Sequence, residues 1–245
     1  MKEIENIIHL ESVGSTNDYL RGLHKSQFLS NWTAVYTDFQ EKGKGQRGNV
    51  WSSAKGDDLL CSIIYRAKNL SPQMLFLINE WVSLSLVNVL REIGAANVEI
   101  KWPNDILINK KKVCGILVEN TLAGNKVNDT IIGIGLNLNS NALPLGATSL
   151  KNELITTIDK KKVLIKILKQ LRLNEDLVDF RIDYLKKEYL SNLLGFKEKV
   201  LLQDAEGKWE GQVLNVLPTG IIQIEKNGEV KEFGYKEVKW LGKTS

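Results

Sequence analysis

The feature that most constrains the fold lies between Val98 and Asn137, where a short strand, a hairpin and a third sheet element follow one another with little between them. Val98-Glu99-Ile100-Lys101 reads as a short strand ending at Trp102-Pro103-Asn104-Asp105. Ile106-Leu107-Ile108, a turn around Asn109-Lys110-Lys111, and Val113 to Val118 then form a hairpin, and Thr130 to Asn137 supplies a third sheet element. Links this short suit antiparallel neighbours, since a parallel pair needs a crossover of about a dozen residues or more. With helical patterns before and after, the expectation is an α+β fold: a mixed, largely antiparallel sheet packed with helices.

The flanking segments fill in that picture. Residues 4–10 read as a strand, and Ser15-Thr16-Asn17-Asp18 caps a helix carrying Tyr19, Leu20 and Leu23. Thr33 to Phe39 alternates like a strand, and Leu59 to Tyr65 reads as a more buried one. Ser71-Pro72 opens a long helix with Leu75, Ile78, Val82, Leu86 and Leu90 on one face, ended by Gly94. Asp159 caps a lysine-rich helical region that runs through Leu164, Ile167 and Leu171 and continues towards Tyr184 and Leu190. Past Gly195 the texture changes to short alternating strands with glycine turns, a small β-barrel-like module. The expected division is residues 1–195 and 196–245.

Composition excludes several classes. With 43% hydrophobic and 25% charged residues in 245, the chain has the balance of a globular protein. Cys61 and Cys114 sit in apolar runs, as buried small hydrophobes do, which excludes a disulfide scaffold. Two histidines, His9 and His24, with no Cys/His pairs at ligand spacing, argue against zinc. A net charge of +4 does not call for DNA or a membrane surface as partner. No apolar run approaches the roughly 20 residues of a membrane span, and the start has no signal-peptide pattern, so a cytoplasmic chain without a membrane partner is expected.

Charge placement is more informative than its sum. Gly43-Lys44-Gly45-Gln46-Arg47-Gly48 follows a strand, and its letters fit G-x-G-x-x-G without the strand–turn–helix setting or the later ribose acid. It is neither a dinucleotide fingerprint nor a phosphate loop. Its glycines still let backbone N–H groups approach a ligand, while Lys44 and Arg47 bring charge and a planar donor fork. Ser15 and Thr16 stand at a helix N-terminus, where free N–H groups receive polar or anionic atoms.

Taken in order, S-T-N, then Q-E-K-G-K-G-Q-R-G-N-V-W, then K-W-P-N-D-I-L-I-N-K-K-K-V-C-G-I-L-V-E, then G-I-G-L-N-L-N, the sequence resembles the biotin protein ligases. The motifs span roughly residues 10–140, and K-W-P-N-D followed by K-x-x-G is the specific part. The resemblance implies a ligase core like that of class II aminoacyl-tRNA synthetases and a C-terminal SH3-like barrel. It also implies ATP-dependent activation of biotin to biotinyl-AMP, with magnesium, and transfer to a lysine of a biotin carboxyl carrier protein domain.

Carried over by motif, Ser15, Thr16, Asn17 and Gln40 would bind biotin, with Gly43, Lys44, Gly45 and Gln46 closing over it and Gly115 beside it. Lys112 would reach the reacting carboxylate and α-phosphate, and Lys44 and Arg47 would act with it. Trp51 and Asn137 would lie at the adenine, Asn104 and Asp105 at the phosphates, and Asp105 at the magnesium. Gln46 departs from the pattern: many members carry there an arginine associated with holding the adenylate. Within the same fold the rival is a lipoate or octanoate ligase, against which Trp102-Pro103 speaks. A non-catalytic biotin-binding regulator is a further reading, but the chain begins almost at the first ligase strand, so no operator-binding module is expected.

Overall fold

The computed structural model describes residues 6–68, 70–124 and 126–243. Seven strands form one mixed sheet: β1 (Ile7–Leu10), β2 (Ala34–Thr37), β3 (Leu59–Tyr65), β4 (Val98–Lys101), β5 (Asp105–Ile108), β6 (Lys111–Ala123) and β7 (Lys126–Leu136). Their order is β1-β2-β3-β7-β6-β5-β4. Only the β1–β2 pair is parallel, and α1 (Thr16–Ser26) lies between them in the chain, as a crossover requires. The hairpin expected at Asn109–Lys111 joins β5 to β6, with Asn109 and Lys110 both in the left-handed region. The first strand begins at Ile7, and the part of its expected range below residue 6 lies outside the described residues.

Period-two alternation along β3 assigns the two faces of the sheet. Leu59, Cys61, Ile63 and Tyr65 join the larger apolar cluster with α2 (Phe76–Ile93), α4 (Lys160–Leu173) and α6 (Ile182–Ser191). Ile64 faces the other way and meets Leu20 of α1, Val35 and Ile131 in a smaller cluster. Both cysteines are free and buried, and burial pushes the Cys61 thiol up to about 12.

Two expectations about helices need correction. The lysine-rich region does not continue as one helix: it breaks into α4, the short α5 (Asp176–Asp179) and α6, while a short α3 (Leu150–Leu154) precedes it. The stretch Pro72–Ile93, with mean hydropathy 1.4, is long and apolar enough by length and composition to cross a membrane, contrary to the sequence reading. Here most of it is buried inside the protein, and it serves as the central core helix under the sheet. Gly94 closes it at φ 109°, a conformation open to glycine.

Residues 199–243 form a second, antiparallel sheet of β8 (Lys199–Asp204), β9 (Gly207–Val216), β10 (Ile222–Lys226), β11 (Glu229–Phe233) and β12 (Lys239–Lys243), ordered β11-β10-β9-β8-β12. It matches the small SH3-like module expected, with β12 as an additional strand. Its seam with the first sheet is specific. The segment that leads into this second sheet is tied to β4, Ile100 N–H donating to Asn192 O and Leu194 N–H to Ile100 O, both at 2.8 Å. Trp102 Nε1 donates to Gly220 O at 3.0 Å, and its ring lies 5.3 Å from that of Tyr235 and 5.9 Å from that of Trp240.

Candidate active site

A cavity of about 530 Å³ opens on the α1 face of the large sheet. Its origin is legible in the strands. Ile131, Gly133 and Gly135 alternate onto one face of β7, and Gly115 of β6 pairs with Gly135. Ile131 packs under α1, but the glycines leave the side-chain layer empty beyond it. Neighbouring side chains move into that space. A Cβ at Gly133 would lie 2.5 Å from Asn17 Oδ1, and at Gly135 2.5 Å from the Trp51 ring.

One end of the cavity is a polar network. Ser15 caps α1, its Oγ facing Asp18 N–H at 3.5 Å. Thr16 donates twice to Gln40 Oε1, from N–H at 2.7 Å and from Oγ1 at 3.0 Å. Asn17 Nδ2 donates to Glu119 Oε2 at 2.6 Å, and Glu119 is held by Arg21 at the same distance. Behind them Ser62 Oγ stands 2.7 Å from Thr16 Oγ1 and 2.5 Å from Asn17 Oδ1. Ser15, Thr16, Asn17 and Ser62 are all buried.

The other end is cationic and more open. Lys112 Nζ pairs with Asp105 Oδ1 at 2.6 Å across the β5–β6 ladder and lies 5.5 Å from the centre of the Trp51 ring. The lysine run is divided by the turn: Lys110, in the left-handed turn before β6, pairs with Glu99, whereas Lys112 on the strand enters the cavity. Lys44 is half exposed and paired with Asp18 at 2.6 Å. Arg47, at φ 52° in the turn Gln46–Gly48, donates to Tyr235 O at 2.8 Å and stacks over that ring at 5.0 Å. Gln46 and Gly45 line the wall beside it.

Thus Ser15, Thr16, Asn17, Gln40, Lys44, Gly45, Gln46, Arg47, Trp51, Asn104, Asp105, Lys112 and Gly115 share one cavity. Asn104 does so with its amide already committed, donating to Ile116 O at 2.7 Å. Gly43 and Asn137 are not among the lining residues. Gly43 is required by the loop itself: a Cβ there would come 2.2 Å from Trp51 O, whose residue donates back to Gly43 O. Asn137 is buried one residue beyond β7, donating to Thr148 O at 3.0 Å, and anchors the following loop.

The family model of the biotin/lipoate A/B protein ligases matches residues 10–137, more than half of the chain. The chain belongs to this family. The bifunctional ligase/repressor BirA of Bacillus subtilis is 31% identical over 82% of this chain, which spans 63% of that protein's length. The biotin--[acetyl-CoA-carboxylase] ligase of Paracoccus denitrificans is 31% identical over 63% of this chain and 67% of its own. The biotin protein ligase of Aquifex aeolicus, solved in complex with biotin and ATP, superposes with a TM-score of 0.77 at 30% identity, covering 97% of this chain and 99% of that one.

Sequence reasoning about this ligase missed two groups of residues. Tyr235, Lys236, Val238, Lys239 and Trp240 bring the second sheet into the cavity wall, far outside the matched segment. No local signal marks them, because only the seam at Trp102 brings them there. Ser62 was missed as well, yet a lone polar residue in the run LLCSIIY was a detectable anomaly. The lining cations Lys44, Arg47, Lys101, Lys112, Lys236 and Lys239 face Asp105 as the one carboxylate among the described lining residues.

Proposed function

We propose that this ligase activates biotin with ATP to biotinyl-AMP and transfers the biotinyl group to a lysine of a biotin carrier domain of a carboxylase. One observation carries the reading: a single cavity joins a polar, acceptor-bearing end to a cationic end that holds Lys112. Biotin has the matching polarity, an uncharged polar ring at one end and a carboxylate at the other. Thr16, Asn17 and Gln40 take the ring, with Ser15 at the helix N-terminus and Gly115 and the Gly43–Gln46 backbone alongside.

The carboxylate oxygen then attacks the α-phosphorus of ATP, the bond to the bridging oxygen breaks, and pyrophosphate leaves with the electron pair. Two unit charges about 4 Å apart repel by about 4 kcal/mol at an effective dielectric near 20, so cations must stand between the anions. Lys112 does this directly, with Lys44 and Arg47 beside it. Trp51 lies over the bared sheet where the adenine would stack, and Asn104 and Asp105 border the phosphates. Asn137 supports that wall from behind.

Among the described residues no cluster of three His, Cys, Asp or Glu side chains could hold a metal ion. A magnesium ion needs only one or two carboxylates when substrate phosphates complete its shell, and Asp105 fits that role. When bound, the ion neutralises phosphate charge. In the transfer step the acceptor amine attacks the carbonyl of the mixed anhydride and AMP leaves.

The test is mass spectrometry of a biotin carrier domain incubated with the protein, ATP, magnesium and biotin, alongside ATP–pyrophosphate exchange with biotin or lipoate. The expected results are one biotinyl group on one lysine and exchange that depends on biotin. Exchange driven by lipoate alone would move the assignment to the rival, and no exchange with either would end it.

A further inference from the structure

Ser62 is fully buried in the middle of β3. It sits on the α1 face, opposite Val35 and Gly133 in the ladder and two residues from the buried Ile64. A buried hydroxyl at such a place costs stability unless its hydrogen bonds are made. Its partners are the two α1 residues at the polar end of the cavity, and the protons around them can be assigned one by one.

With the Thr16 hydroxyl proton directed to Gln40 Oε1, its oxygen is the acceptor in the contact with Ser62. Asn17 has its amide nitrogen bound to Glu119, which turns Oδ1 towards Ser62 as a second acceptor. Ser62 has a single proton for these two acceptors at 2.7 and 2.5 Å. The cluster is therefore one donor short, and its open acceptor belongs to Thr16 or Asn17, both of which line the cavity.

We propose that Ser62 is a positioning residue that sets ring specificity: it holds Thr16 Oγ1 and Asn17 Oδ1 side by side as acceptors and so selects a ligand whose ring carries N–H donors. This rests on the biotin reading above and deepens it. A cyclic urea supplies the missing proton, whereas a dithiolane ring leaves a buried acceptor unpaired. A ring that cannot make this hydrogen bond leaves the buried acceptor unpaired, and a site built to pair with a donor rejects the analogue that lacks it.

The experiment compares Ser62→Ala and Ser62→Cys with the parent in ATP–pyrophosphate exchange, reading KM and kcat separately for biotin, ATP and lipoate, with Tm as a control for folding. Loss of the aligned donor should raise the KM for biotin about tenfold, leave kcat and the KM for ATP within about twofold, and lower the preference for biotin over lipoate by the same factor. Ser62→Cys keeps the shape of the side chain and decides the matter if the alanine variant does not fold. A biotin KM within about twofold of the parent in a folded variant would overturn the proposal, as would a parallel rise in the ATP KM. Failure of the functional reading itself looks different: the parent protein would then show no biotin-dependent exchange at all.

Discussion

The two ends of the cavity are built on opposite plans. At the Thr16–Gln40–Ser62 end the side chains are tied to neighbours from other elements, α1, β3, β6 or the segment after β2, and the residues of α1 and β3 are buried. At the Gly43–Trp51 end the loop is held by a few of its own backbone bonds and by Arg47 on Tyr235, and Val50 is left 79% exposed. The first arrangement is pre-organised for recognition, since side chains locked by their neighbours lose little freedom on binding. The second keeps its cations movable, as suits groups that must follow charge from ground state to transition state.

Removing the central cation should have the largest effect. Lys112→Ala is expected to lower biotin-dependent pyrophosphate exchange by at least about a hundredfold, in line with loss of a charge that stabilises a transition state. Its Tm should stay within about 2 °C of the parent, because an ion pair this open contributes little to folding. Near-normal exchange would remove Lys112 from the reaction and leave the cationic end without a function.

Gly133→Ala probes the rigid end. Its Cβ would lie 2.5 Å from Asn17 Oδ1 in a network with no slack, so the biotin KM should rise about tenfold with little change in the ATP KM. Equal shifts in both constants would show that the two ends do not act separately.

Arg47→Ala is the mildest change and tests the loose end. An exposed cation–π contact is worth about 0.5–1 kcal/mol, so Tm should move by no more than about 4 °C. Trypsin should cut after Lys42 or Lys44 several times faster than in the parent, and saturating biotin should slow cleavage of the parent. Unchanged cleavage in both comparisons would mean that the loop is as fixed as the rest.

Most strands were legible because the period-two pattern is written into each: Leu59–Tyr65 was read with the bounds it has, and the Val98–Val118 segment was read with its hairpin. The continuous helix after Asp159 failed because apolar spacing persists across Asn174 and Phe180 while the chain turns there, each turn closed by its own capping bond. Asn137 illustrates another limit. Its motif neighbours lead to the cavity, but one residue past the end of β7 its side chain is spent on Thr148 O.

Sequence by itself determined the α+β architecture and most of the residues that meet in the cavity, because patterning and motif spacing are local properties of the chain. Only the tertiary structure decided that Ser62 stands behind Thr16 and Asn17, that Arg47 reaches Tyr235, and that the second sheet closes the wall. Arg47 and Tyr235 are 188 positions apart, Trp102 and Gly220 at the seam 118, and Ser62 lies 46 positions from Thr16. Such contacts are set by how sheets and seams pack, which no window along the chain contains.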